Sequence, residues 1–152
     1  MNTDGHKSEI DRVTEKIIGC AFTVGTRLGC GFLEKIYENA LVIELRKAGL
    51  RVAQQQPTEV QYDDVVVGTY VADVVVEGAV LLEIKAVKFF DEIHTAQCLN
   101  YLKATGLPLC LLISFGRPRV DIERVILTTE GLAVGKRSVR YESIDARRSL
   151  SI

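Results

Sequence analysis

Within TYVADVVVEGAVLLEIKAV, at residues 69–87, two carboxylates and one lysine stand inside the apolar stretches on either side of a central Glu-Gly. Val, Leu and Ile at this density read as two buried strands joined by a turn at Glu77-Gly78. A charge taken out of water is costly and needs a partner, an ion or a shifted pKa. Asp73, Glu83 and Lys85 therefore constrain the fold more than surface charges do.

Side chains alternate faces along a strand, so Glu83 and Lys85 share one face while Leu82, Ile84 and Ala86 point the other way into a core. If the strands form a hairpin centred on Gly78, Asp73 falls opposite Glu83, and an odd loop keeps the two on one face. That patch suits a hard divalent cation such as Mg2+, which takes one or two carboxylates together with waters and phosphate oxygens. The lysine would polarise or deprotonate an attacking water, or neutralise charge developing on a phosphate. A second reading stays open on the residues alone: Glu83 and Lys85 as a neutralising same-face pair on a half-exposed strand.

The 152 residues fit one domain with a substantial core. That domain is expected over residues 1–130, with a helical part at 8–50 and a strand-rich core at 58–127. A basic extension follows at 131–152, and its Lys136, Arg137, Arg140, Arg147 and Arg148 would either meet a phosphate backbone or form a solvated tail. A net charge of -1 leaves no overall basic field, so any contact with nucleic acid must be local. No apolar run approaches the ~20 residues of a membrane span, and the N-terminal MNTDGHKSEIDRV lacks a signal-peptide apolar region, which makes a cytoplasmic location without a membrane partner the expectation. Cys20, Cys30, Cys98 and Cys110 are widely spaced with no CxxC pair, and read as small buried hydrophobes or free thiols.

From Ser8 onwards Ile10, Val13, Ile17, Ala21, Val24 and Leu28 recur at helical steps, with Thr3 or Asp4 as candidate caps and a break at Gly29-Cys30-Gly31. A second helix is expected from Phe32 to Ala48-Gly49. Within its opening GFLEKIY, Glu34 and Tyr37 lie three apart on one face. By themselves they read as a dipole-complementing carboxylate and a half-buried core tyrosine. Thr58 to Tyr62 and Val65 to Val76 read as strands about a turn at Asp63-Asp64, the second either continuous or interrupted near Gly68. Asp91 caps a third helix ending at Gly106, on which Gln97 and Tyr101 share a face, with His94 one turn earlier. Leu109 to Phe115 reads as a central strand covered on both faces, and Asp121 to Leu127 as another.

The run EKIIGCAFTVGTRLGCGFLEKIYENALVIELRKAGL, with Gly31, Glu34 and Tyr37, resembles the signature of the GxxExxY protein family, a branch of the PD-(D/E)XK nuclease superfamily. Asp73, Glu83 and Lys85 match that superfamily's core motif, and the likeness extends from Glu15 to Leu127. It implies a restriction-endonuclease-like α/β fold in three layers, a central mixed β-sheet flanked by helices. It also implies a Mg2+- or Mn2+-dependent phosphodiesterase acting on DNA or, less readily, RNA. Asp73 and Glu83, with the Ile84 carbonyl, would hold the metal, Glu34 would join from the first core helix, and Lys85 would assist the attacking water. Gln97 and Tyr101 resemble the Gln-x-x-x-Tyr motif of RecB-like and phage-exonuclease-like nucleases, where they would position a phosphate, a bound water or the catalytic residues. The chain departs from the family pattern at Gly25, where a His is usual, at Cys30, where a Pro is usual, and at Ala72, which stands where a Pro precedes the motif Asp. Small nucleases of this fold often pair into homodimers, to which no residue here points directly. The alternative function is a nucleic-acid- or protein-binding module that keeps the fold without turnover; a third is a structural protein in which the cluster is an ion-pair network.

Overall fold

The computed structural model describes residues 8–127 and the backbone of residues 140–141. Helix α1, Glu9–Leu28, starts where Ser8 accepts a hydrogen bond from the Asp11 backbone N–H at 3.1 Å. The cap is therefore Ser8 rather than Thr3 or Asp4, both of which lie outside the described residues. The chain reverses through Gly29 and Gly31, whose φ values of 72° and 112° suit residues without a Cβ. Helix α2, Glu34–Lys47, begins two residues after the expected Phe32, because Leu33 is still extended.

The expected strand at Thr58 begins earlier, at Val52: β1 is Val52–Tyr62 and β2 is Val65–Val76. The Gln-Gln-Gln-Pro run in β1 has little strand preference, and Pro57 cannot donate to a ladder. Both are accommodated because β1 lies at the edge of the sheet and pairs with β2 alone. Asp63 and Asp64 form the turn between them with φ values of 51° and 63°. A register shift at Val60/Gln61 falls opposite Gly68, and β2 continues through it. The remaining strands are β3 Val80–Lys85, β4 Leu109–Ser114, β5 Asp121–Val125 and β6 Arg140–Tyr141. The sheet order is β1-β2-β3-β4-β5-β6, with β3 and β4 parallel and the other neighbours antiparallel. Apart from β6, the basic extension at 131–152 lies outside the described residues.

Helix α3, Glu92–Thr105, is capped by Asp91, and Gly106 closes it in the left-handed region. Helices α1 and α2 bury Ile17, Ala21, Val24, Tyr37, Leu41 and Leu45 against one face of the sheet, where Val74, Val76, Leu82 and Ile84 meet them. On the other face Cys98, Leu99 and Leu102 of α3 pack on Leu81, Cys110 and Leu112. The result is a three-layer α/β domain with a mixed sheet at its centre. Among the described residues no helix is long and apolar enough to cross a membrane. All four cysteines are free; Cys20, Cys98 and Cys110 are buried and Cys30 is exposed.

Candidate active site

The β2–β3 hairpin turns through Glu77 and Gly78, both with positive φ, and its ladder runs from Val76↔Val80 to Val74↔Leu82. Asp73 and Glu83 stand at the next step. The Ile84 backbone N–H donates to Asp73 Oδ2 at 2.8 Å, which stitches the two strands together beyond the last ladder pair. Along β3, Leu82 and Ile84 enter the α1–α2 core while Leu81 enters the α3 side, so Glu83 and Lys85 share the face of Leu81.

Glu83 is only 5% exposed, and its Oε2 is buried without a hydrogen-bond partner among the described residues. Burial first, and then the Asp73 carboxylate, push the Glu83 pKa up to about 8, against the pull of Lys85 and the Asp73 backbone N–H. Asp73 is raised as well, chiefly by burial, while the Ile84 N–H and Lys85 oppose the shift. Lys85 is half-buried at the end of β3.

The GFLEKIY segment divides its roles. Tyr37 is fully buried, stacks on Phe115 at 4.7 Å, donates its hydroxyl to Gly29 O at 2.6 Å and accepts from the Phe32 N–H at 3.1 Å. It clamps the reversal between α1 and α2. Glu34 opens α2 on the exposed side, and its charge reaches Asp73. The helix carboxylate that sequence reading missed is Glu38, one turn further on. It is 4% exposed, and its charge acts on both Asp73 and Glu83. The signal was present as a second acid four residues after Glu34, on the same helical face.

On α3, Tyr101 stacks against Tyr70 of β2 at 3.7 Å, and burial together with the nearby Glu83 pushes its pKa up to about 12. Burial followed by Glu83 also raises Tyr70 far above its ordinary value, and its hydroxyl has no partner among the described residues. Tyr101 thus flanks the carboxylates from the α3 layer. Gln97 is half-buried one turn earlier on α3. His94 accepts the Asp91 backbone N–H at 3.0 Å and completes a capping box, a helix-end role rather than a site role. Of the family departures, Gly25 packs where an added Cβ would collide with Val120, and Ala72 is completely buried.

Among the described residues no three His, Cys, Asp or Glu side chains converge tightly enough to hold an ion by themselves. Asp73 and Glu83 nevertheless fit a hard divalent cation that keeps waters or phosphate oxygens in its remaining positions. The fit rests on the orphaned Glu83 Oε2 and on two neighbouring carboxylates that repel each other, a repulsion that the Lys85 charge offsets only in part. A family model described as the PD-(D/E)XK nuclease superfamily matches residues 11–125 of the chain. No curated protein and no solved structure matches it.

Proposed function

The chain belongs to the PD-(D/E)XK nuclease superfamily and has its restriction-endonuclease-like fold, and on that premise we propose that it is a Mg2+- or Mn2+-dependent phosphodiesterase of the GxxExxY branch, cleaving DNA in preference to RNA. Nucleases of this superfamily generally use divalent metal ions. The observation that carries the reading is the buried Glu83 carboxylate, placed beside Asp73 with one oxygen unpartnered. A structural ion-pair network has no use for an orphaned buried oxygen, whereas a metal site does.

Asp73 and Glu83 would hold the ion with the Ile84 carbonyl, and Glu34 would contribute through a water or a second ion. When bound, such an ion lowers the pKa of water and offsets charge developing on the phosphate. Lys85, on the same strand face as Glu83, orients the attacking water or neutralises the phosphate oxygens. Gln97 supplies an amide to the phosphate, and Tyr101 fixes the wall beside Glu83.

The test is cleavage of labelled linear, circular and single-stranded DNA with Mg2+ or Mn2+, comparing the native protein with Lys85→Ala prepared identically. Metal-dependent cleavage lost in the variant supports the assignment, and the circular substrate separates internal from terminal cleavage. Equal activity in both proteins rejects Lys85. Metal binding without cleavage of any substrate favours a binding module.

A further inference from the structure

Gln55 has a backbone that its strand does not require. Among the described residues the non-glycine positions with positive φ are Asp63, Asp64 and Glu77, which lie in turns, and Gln55, which lies inside β1 with φ 55°. The β1–β2 ladder pairs Gln54 with Val74 and Gln56 with Ala72, and skips the step at which Gln55 faces Asp73. The alternation of β2 slips at the same place: Tyr70, Ala72 and Val75 pack on the α3 side, Val74 and Val76 on the α1–α2 side.

The consequence appears in the side chains. Neighbours on a regular strand point to opposite faces, so Gln54 and Gln55 should not meet the same group. Both do. Gln54 Nε2 donates to Glu38 Oε2 at 2.7 Å, and Gln55 Nε2 donates to Glu38 Oε2 and Oε1 at 3.0 and 3.2 Å. Left-handed conformations held at non-glycine residues cluster at functional sites, and this one lies opposite Asp73.

We propose that Gln55 is a positioning residue of the site: its left-handed backbone turns its amide onto Glu38 and holds that buried carboxylate towards Asp73 and Glu83. The inference rests on the metal-dependent reading above. Amides suit the task because they satisfy the carboxylate oxygens without cancelling the charge, as a buried Arg or Lys would. Lys35, the cation in contact with Glu38 at 3.3 Å, is more than half exposed and screened by water. The held charge acts on both motif carboxylates and deepens the negative potential that a divalent ion would enter.

Gln55→Gly tests this, because glycine adopts positive φ freely while removing the amide. The readouts are urea unfolding of the metal-free protein and Mn2+ binding by calorimetry, alongside the Mg2+ dependence of cleavage. Unchanged or higher stability together with Mn2+ affinity weakened about tenfold or more is the expected result, the usual effect of losing a group that orients a ligand. Glu38→Gln should weaken binding similarly, and the double variant should be no weaker than either single one. Native Mn2+ affinity in Gln55→Gly, a loss of affinity that only follows a loss of stability, or additive losses in the double variant would each overturn the inference. If the native protein shows no Mn2+ binding that Asp73→Asn abolishes, the metal-dependent reading itself fails and this inference fails with it.

Discussion

Asp73 accepts the Ile84 backbone N–H at 2.8 Å, so the first motif carboxylate is anchored to the strand that carries Glu83 and Lys85. One hydrogen bond thereby fixes the spacing between two charges that repel each other. It also gives Asp73 a structural task separable from its charge.

Asp73→Asn keeps an oxygen acceptor for the Ile84 N–H and removes the charge, whereas Asp73→Ala leaves a buried donor unpaired. The alanine variant is expected to be less stable than the asparagine variant by about 1–3 kcal/mol in urea unfolding without metal. Both variants should lose cleavage and Mn2+ binding. Equal stabilities would mean that the Ile84 bond contributes little.

The metal-free protein should become less stable as pH rises from about 4.5 to about 8. Glu83 has a raised pKa, so over that window the folded state holds a proton that the unfolded state has released, and unfolding gains ground with pH. The raised Asp73 acts in the same direction. The loss is on the order of a few kcal/mol. Glu83→Gln should flatten the profile and be the more stable protein at pH 8 and above; saturating Mg2+ should flatten the native profile too. Chemical denaturation across pH measures this, and a native profile that rises through the window would contradict the burial of Glu83.

Tyr37→Phe should cost roughly 1–2 kcal/mol, because the hydroxyl that joins Gly29 O and the Phe32 N–H is lost while the stack on Phe115 is kept. Mn2+ affinity should stay near native if Tyr37 serves the α1–α2 reversal alone. A large drop in affinity with little change in stability would place the tyrosine in the site instead.

Gly25→Ala should destabilise by about 1–3 kcal/mol, since the new methyl collides with the buried Val120. Val120→Ala in the same background should recover part of that loss, and thermal unfolding of the single and double variants reads it. No recovery would mean that the helix is limited by something other than this contact.

Local chemistry made much of this protein legible in advance. The three helices follow from apolar periodicity and from glycine stops, and the Glu77-Gly78 turn within a valine-rich run sets the hairpin whose ladder ends one step before Asp73 and Glu83, with Glu83 and Lys85 on one face of β3. Strand alternation has period two and the turn is short, so those positions depend on neighbours close in sequence. Other features depend on segments that meet only after folding. The run from Val52 to Pro57 is poor strand sequence, and becomes the edge strand β1 because its partner, β2, extends that far. Glu38 became a site neighbour, and Gln55 its holder, through contacts between a helix and a strand whose relative placement no local pattern states. The raised pKa of Glu83 likewise needed both sheet faces to be covered. Desolvation is a property of the packed layers, and only the tertiary structure decides which carboxylate loses its water.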